Sequence, residues 1–219
     1  MNARDEVLSR IRTALGGPRP ETTRPADESA AIHAGGAPHG YRVRGEASTE
    51  ELLDLFTDRL TDYRASVRRA TPGEAGASIG EALTQRGARR VVVPPGFELP
   101  ELPSDVEAVT DSGFSATELD TFDGAVTAAA VAVAETGTIV LDGSPDQGRR
   151  AITLVPDYHL CVVRADQVVA LVPEAIARLR QDRPLTWISG PSATSDIELE
   201  RVEGVHGPRT LEVILVAPG

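Results

Sequence analysis

Two kinds of hydrophobic pattern alternate along this chain. Apolar residues recur at helical spacing between residues 52 and 60 and again between residues 79 and 83, which predicts two amphipathic helices. Short runs rich in valine, isoleucine and leucine predict strands. Strands that alternate with helices at this spacing predict an α/β domain, with a mostly parallel sheet covered on both faces. The predicted strands span residues 90–95, 107–110, 131–134, 138–141, 159–165, 185–189 and 211–216, and further helices are predicted near residues 152–154 and over residues 173–180.

Capping signals predict where two of the helices begin. Ser48 is followed three residues later by Glu51, and Ser115 is followed in the same way by Glu118. In such a capping box the serine hydroxyl accepts from the backbone amide of the glutamate, while the glutamate side chain accepts from the amide of the serine. We therefore expect the folded domain to start with a helix after Ser48, and a brief helix to follow Ser115.

The second helix carries a signal at each end. Thr71 and Pro72 form an N-cap followed by a proline at the first helical position, and Gly87 follows the last apolar residue. We therefore expect this helix to begin at Pro72 and to end before Gly87.

The first 47 residues differ in composition from the rest. Apolar residues at helical spacing between residues 7 and 15 predict a short amphipathic helix. Residues 17–47 contain many prolines and glycines and few large apolar side chains, so we interpret them as a linker or as a loop that lies over a partner. The predicted division is an N-terminal helix and Pro/Gly-rich linker at residues 1–47, and an α/β domain at residues 48–219.

Two apolar runs meet at the tetrapeptide Glu135-Thr136-Gly137-Thr138. Thr136-Gly137 fits a tight turn between antiparallel strands. The alanines that precede this turn also have a high helix propensity, so a helix is the alternative. We favour a strand for residues 131–134, because the run at residues 138–141 supplies its partner.

Charge and composition exclude several functional classes. The net charge of -11 and the pI of 4.8 disfavour a general binder of nucleic acid or of anionic membranes. All 22 basic residues are arginine, which excludes a Schiff-base lysine and a P-loop lysine. Cys161 is the only cysteine, so disulfides, iron–sulfur clusters and cysteine-ligated zinc are excluded in this chain, and we predict no metal site. No apolar run has the length of a signal peptide or of a membrane span, which predicts a cytoplasmic protein without membrane insertion.

Small polar residues follow the predicted strand at residues 185–189. Ligands bind beyond the carboxyl ends of the strands in open α/β sheets, so this segment is a candidate binding site if that strand is central. Its backbone amides and hydroxyls suit a carboxylate or a phosphate. The alternative is that Ser192 or Ser195 caps a helix. The candidate ligand-binding residues here are Gly190, Ser192, Thr194, Ser195 and Asp196.

Glu135 and His206 are the candidate catalytic residues. Glu135 ends an apolar strand, where burial would raise its pKa and favour proton transfer. His206 lies in a glycine-proline corner, where it can act as a general base beside Arg209, a bidentate clamp for a carboxylate. A turn histidine bonded to a backbone carbonyl is the alternative for His206. Thr136, Gly137, Thr138 and Arg209 complete the candidate ligand site.

Four stretches in a fixed order make the sequence resemble the LUD-domain family. They are ETGTIVL, PDYHLCVV, GPSATSDIE and GVHGPR. Within that family the chain is similar to the lactate utilization protein C type, also called the YkgG type. The resemblance covers roughly residues 48–219 and includes the short N-terminal helix.

This resemblance implies a three-layer α/β/α domain similar to the ribose-phosphate isomerase and CoA-transferase-like fold. It also implies a bacterial role in the oxidation of L-lactate to pyruvate, as one subunit beside LutA-like and LutB-like iron–sulfur subunits. The iron–sulfur clusters are then expected in the partner subunits and no redox cofactor in this chain, which has one cysteine.

Two other functions stay open on the sequence. One is a stand-alone enzyme of the isomerase, CoA-transferase or cyclo-ligase type that acts on a carboxylated or phosphorylated substrate, and Glu135 is the reason to consider it. The other is a structural adaptor whose residues 1–47 dock a partner.

Overall fold

The computed structural model describes Arg10 and residues 42–180, 182–191 and 207–217. The chain divides into two units, Met1–Arg42 and Val43–Gly219, and the sheets that organise the fold belong to the second unit. The predicted N-terminal helix, apart from Arg10, and residues 17–41 of the predicted linker lie outside the described residues. The predicted division between residues 47 and 48 stays a prediction.

The described elements are short and follow one another closely. None of the helices in the described ranges is long and apolar enough to cross a bilayer, and the longest, α1, has 14 residues. The α-helices are α1 (Thr49–Asp62), α2 (Ala75–Arg86), α3 (Ala116–Leu119) and α4 (Val172–Arg178), and the 3-10 helices are Arg150–Thr153 and Ala165–Gln167. The strands are β1 (Ser66–Ala70), β2 (Arg90–Val93), β3 (Glu107–Thr110), β4 (Gly124–Ala128), β5 (Val131–Val133), β6 (Thr138–Leu141), β7 (Tyr158–Arg164), β8 (Val168–Val169), β9 (Thr186–Ile188) and β10 (Thr210–Val216).

Six strands form a parallel sheet in the order β1-β10-β7-β4-β2-β3, called the main sheet below. The final strand, β10, lies between β1 and β7, with Glu212 opposite Ser66 and Thr210 opposite Tyr158. This confirms the predicted α/β fold with a mostly parallel sheet. Its likeness to the ribose-phosphate isomerase and CoA-transferase-like fold stays a prediction.

Each face of the main sheet is covered. On one face, α2 packs through Ile79 and Leu83 on alternate strand residues such as Val91 and Ile214. On the other face, α1 and a second sheet pack against the main sheet in one hydrophobic cluster. On the same face, α3 and the 3-10 helix Arg150–Thr153 form a separate cluster with β2 and β4. The predicted layers are therefore present, with a second sheet forming part of one covering layer.

The second sheet has four strands in the order β8-β5-β6-β9. β5 and β6 form the predicted antiparallel hairpin, so the helix alternative for the alanine-rich run is wrong. Ala132 and Ile139 face the main sheet, whereas Val131 and Val140 face α4. The predicted strand at residues 185–189 is β9, an edge strand of this second sheet paired antiparallel with β6, and it is not a central strand of the main sheet.

Local capping confirms most of the predicted helix ends. Capping boxes are present at Ser48 with Glu51 and at Ser115 with Glu118. Gly87 follows α2 with a left-handed backbone, φ of 72°, as expected. The predicted start of α2 is wrong, because the backbone amides of Glu74 and Ala75 both donate to the carbonyl of Thr71 in a turn, and the helix begins only at Ala75.

Candidate functional site

Three hydroxyl groups form a hydrogen-bonded chain on the second sheet, called the hydroxyl chain below. Oγ1 of Thr138 lies 2.7 Å from Oγ1 of Thr136 and 2.8 Å from Oγ of Ser189. Thr138 is 5% exposed, while Thr136 and Ser189 at the two ends are half-buried. The hydroxyl chain therefore has a buried central residue and a partly exposed residue at each end.

Strand register places these hydroxyls on the outer face of the second sheet. Val140 lies opposite Trp187 and Ile139 lies opposite Ile188, which brings Thr138 beside Ser189. Side chains two residues apart on a strand share a face, so Thr138 shares the α4-facing side with Val140. The site thus faces away from the main sheet, and it does not lie at the carboxyl edge that the sequence suggested.

The Glu135-Thr136-Gly137 turn packs on the end of α1. Gly137 has a φ of 57°, and a Cβ at this position would lie 2.7 Å from Cβ of Arg59. Nε of Arg59 donates to the carbonyl oxygen of Glu135 at 3.3 Å. Only glycine therefore allows the turn to approach α1 this closely, and α1 positions one end of the hydroxyl chain.

Glu135 is exposed at this turn. The burial on which its predicted proton-transfer role depends is therefore not present. Its carboxylate instead adds a negative charge one residue away from the Thr136 end of the hydroxyl chain.

Gly190 lies against the connection between α1 and β1. It has a φ of 81°, and a Cβ there would lie 2.6 Å from Cβ of Tyr63. This contact fixes the backbone just after Ser189. The structure thus brings Gly190 and the residues 136–138 to the same region, as the predicted site requires.

The remaining predicted site residues are placed elsewhere or lie outside the described residues. Arg209 stands at the amino ends of β7 and β10, where its Nε donates to Oδ1 of Asp157 at 2.8 Å and its side chain is 67% exposed. This contact holds it at the amino edge of the main sheet. Outside the described residues lie Ser192, Thr194, Ser195, Asp196 and His206.

The described ionisable groups inside the main sheet are enclosed. His159 bonds Thr127 through Nε2 and is 1% exposed, and burial lowers the pKa of its imidazole to about 4. Burial raises the pKa of the Cys161 thiol to about 12, which keeps it protonated. Both groups are core residues.

An ion pair at the carboxyl edge of the main sheet was missed by the sequence analysis. Arg149 binds both carboxylate oxygens of Asp111, with Nε to Oδ2 at 2.6 Å and Nη2 to Oδ1 at 2.9 Å. Hydrogen bonding from Arg149 is the main cause that lowers the pKa of Asp111. The carboxylate also accepts from the amides of Gly113 and Phe114, so the pair fastens the loop after β3.

The hydroxyl chain is suited to hydrogen bonding with an anion. Hydroxyls donate and accept without a change of charge, and aligned hydroxyls polarise one another. In the described ranges, no group of three or more histidine, cysteine, aspartate or glutamate side chains is placed to hold a metal ion.

Comparisons with known proteins place this geometry in a family. The family model described as "LUD domain" matches residues 104–216, which include the hydroxyl chain. A "Lactate utilization protein C" from Deinococcus radiodurans is 46% identical over 98% of this chain and 95% of its own length. The protein YkgG of Escherichia coli, described as uncharacterized, is 26% identical over 95% of each chain. A crystal structure of a DUF162 family protein from Deinococcus radiodurans has a TM-score of 0.68 and 44% identity, and it covers 78% of this chain and 99% of that chain.

Proposed function

Because the chain belongs to the LUD domain family, we propose that it acts as the C-type subunit of a bacterial system that oxidises L-lactate to pyruvate. The observation that carries the proposal is the 46% identity, over nearly the full length of both chains, to a protein named lactate utilization protein C. The similarity extends across α1, the main sheet and the hydroxyl chain, and so is not confined to a common scaffold.

In this proposal the electrons of L-lactate pass to LutA-like and LutB-like partner subunits that carry iron–sulfur clusters. A cluster of this kind is held by several cysteine thiolates. This chain has only Cys161, whose thiol is buried in the core and protonated, so its residues do not fit a cluster. We assign the redox step to the partners and a supporting role, without a redox cofactor, to this chain.

Growth on L-lactate tests the role in the cell. The gene is deleted in a strain with no second lactate dehydrogenase, and growth on L-lactate as sole carbon source is compared with growth on pyruvate. We expect growth on L-lactate to be lost and growth on pyruvate to be kept. The full chain supplied in trans should restore growth on L-lactate. Unchanged growth on L-lactate would contradict the proposal.

Co-purification tests the partners. An affinity-tagged full chain is isolated from cells grown on L-lactate, and the iron and acid-labile sulfide that accompany it are measured. We expect both to be present in the isolated complex and absent from the chain produced alone. Isolation of the chain without iron from lactate-grown cells would count against an assembly with iron–sulfur subunits.

A stand-alone enzyme that acts on a carboxylated or phosphorylated substrate is the second candidate. The placement of an exposed carboxylate, Glu135, beside the hydroxyl chain favours it. Turnover of CoA esters, sugar phosphates or hydroxy acids by the purified chain without partners would support this function. Loss of that turnover in Glu135→Gln would assign it to this site.

A further inference from the structure

We propose that the hydroxyl chain and Trp187 form one binding site for a small organic acid. The carboxylate of the ligand accepts a hydrogen bond from the Ser189 end of the chain, and the indole of Trp187 covers the carbon part of the ligand. The 2-hydroxy or 2-oxo acid class of the ligand rests on the proposed function, whereas the carboxylate site itself rests on the geometry.

In two of its three possible arrangements, the hydroxyl chain leaves one proton free to be donated outward. Three hydroxyls carry three protons, and the two short oxygen–oxygen contacts, 2.7 and 2.8 Å, use two of them. If the bonds run from Thr136 towards Ser189, the proton of Ser189 points out of the chain. If they run in the other direction, the proton of Thr136 does so. In either direction a half-buried end offers one hydrogen-bond donor to a ligand.

A third arrangement satisfies every proton internally. Oγ1 of Thr138 can donate to the carbonyl oxygen of Thr136 at 3.3 Å, while Thr136 and Ser189 both donate to Thr138. This contact is longer than the two bonds along the hydroxyl chain, and it exceeds the range of about 2.5–3.0 Å that is typical of O–H···O bonds. A hydrogen-bond acceptor placed at Ser189 therefore favours the arrangement in which the bonds run from Thr136 towards Ser189. It then receives a hydrogen bond from a hydroxyl that the other two hydroxyls already polarise.

Trp187 stands next to the Ser189 end on the same face of the sheet. Trp187 lies on β9 and Ser189 directly follows this strand, so for an extended backbone their Cα atoms lie about 6.5 Å apart. The indole is 41% exposed, although Val140 directly opposite it is fully buried. The exposed ring offers apolar surface that can provide affinity, and the hydroxyls offer polar groups that can fix the orientation of a small ligand.

The charges around the site favour a carboxylate over a phosphate. Glu135 is exposed one residue from Thr136, and the chain as a whole carries a net charge of -11. Repulsion from these charges is about twice as large for a dianionic phosphate as for a monocarboxylate at the same distance. Hydroxyl donors, which carry no charge, therefore suit the singly charged ligand better than the doubly charged one.

Intrinsic fluorescence reports on this site alone, because Trp187 is the only tryptophan of the chain. The purified full chain is titrated with L-lactate, pyruvate and inorganic phosphate at constant ionic strength, and the same mixtures are measured by calorimetry. We expect a saturable change in Trp187 emission and a matching heat with at least one of the two carboxylates, and neither with phosphate.

Matched variants test the role of the hydroxyl chain. Ser189→Ala removes the outward donor, and Thr138→Val interrupts the chain with a residue of similar shape. Ser78→Ala on α2 removes a half-buried serine hydroxyl on the opposite face of the main sheet and serves as the control. We expect Kd to rise at least tenfold in the two site variants and to stay unchanged in the control. Circular dichroism tests whether each variant is folded. If Thr138→Val is unfolded, the conclusion depends on Ser189→Ala alone.

Several outcomes would overturn the inference. They are binding of phosphate without either carboxylate, equal affinity in Ser189→Ala and the unaltered chain, and no saturable signal by fluorescence and calorimetry together. The growth phenotype separates this failure from failure of the proposed function, since a deletion strain that cannot grow on L-lactate would keep the function while the site is abandoned. Carboxylate binding together with unaffected growth would leave the site and remove the function.

Discussion

Oγ1 of Thr127 and Nε2 of His159 lie 2.8 Å apart between the neighbouring strands β4 and β7. Thr127 is fully buried and His159 is 1% exposed. Burial disfavours the charged imidazolium and lowers the pKa of His159 to about 4. The core of the main sheet therefore contains a histidine that is neutral over the physiological pH range.

This histidine makes stability depend on pH. In the unfolded chain its pKa is about 6.5, so below that value the unfolded state binds a proton that the native state does not. Stability is therefore lost as pH falls from about 6.5 towards 4. We expect the free energy of unfolding in urea to fall by about 2 kcal/mol between pH 7.5 and pH 5 from this residue.

Replacement of His159 by glutamine removes this titration and keeps a polar group that can bond Thr127. We expect His159→Gln to be less stable at pH 7.5 but to lose less free energy of unfolding than the unaltered chain on going to pH 5. An equal loss in both proteins would show that His159 does not cause the dependence.

The Asp111–Arg149 pair is expected to contribute to stability more than a surface pair. Asp111 is 9% exposed, so Arg149→Ala leaves a nearly buried carboxylate without its strongest donor. We expect a loss of about 2 kcal/mol in the free energy of unfolding, between the values typical of buried and of exposed pairs. The lowered pKa of Asp111 means that this contribution is present at neutral pH and is lost as pH falls below about 4.

Arg209→Ala is the matched control, because it removes an exposed pair with Asp157. Its expected cost is at most about 0.5 kcal/mol. Similar losses in both variants, measured by urea unfolding at pH 7, would contradict the assignment of a special role to the Asp111–Arg149 pair.

Gly137 is expected to tolerate no side chain. Gly137→Ala forces alanine into the left-handed backbone that glycine adopts here, and it places a Cβ 2.7 Å from Cβ of Arg59. Gly87→Ala is the control, because Gly87 has a similar positive φ of 72° and nothing within 4 Å of an added Cβ. Strain of the backbone alone costs about 1 kcal/mol. We expect Gly137→Ala to lower the free energy of unfolding by at least about 1 kcal/mol more than Gly87→Ala, and equal losses would exclude the contact with α1 as the cause.

Tyr158 is expected to make the protein sensitive to alkaline pH. Its hydroxyl donates to Oε2 of Glu212 at 2.8 Å, and burial with this carboxylate raises the pKa of the tyrosine well above its ordinary value. Above a pH of about 10 the unfolded state releases the phenolic proton and the native state keeps it, so stability falls. Tyr158→Phe removes this dependence while losing about 1.5 kcal/mol at pH 8 from the hydrogen bond to a charged acceptor. A variant that keeps the unaltered protein's loss of stability between pH 8 and pH 10.5 would contradict this.

Local sequence determined the ends of several elements. The capping boxes at Ser48 and Ser115 join residues that are three positions apart. Gly87 ends its helix because glycine readily adopts the left-handed backbone that is required there. The hairpin of β5 and β6 is similarly local, because its turn brings adjacent segments together. These interactions form within a few residues, so their residue types can be recognised in the sequence.

Tertiary structure decided the positions of strands with weak local signals. β1 was not predicted, because an edge strand with two arginines and exposed residues lacks the apolar run of a buried strand. It becomes a strand by pairing with β10, and Ser66 lies opposite Glu212, which is far away along the chain. The strand at residues 186–188 was predicted, but its place at the edge of the second sheet depends on β6 and not on its own residues.

The candidate site also combines features that the sequence predicted with features that only the tertiary structure decided. The sequence analysis selected Thr136, Gly137, Thr138 and Gly190, and these residues do lie in one region. It did not predict the link from Thr138 to Ser189, the exposure of Glu135 or the position of Trp187 beside the hydroxyls. Thr138 and Ser189 are 51 positions apart, and strand register alone brings their oxygens to 2.8 Å. The apolar pattern of a strand decides which of its faces is buried. Which residues of β6 and β9 lie opposite each other depends also on the packing of both strands, because no short turn joins them.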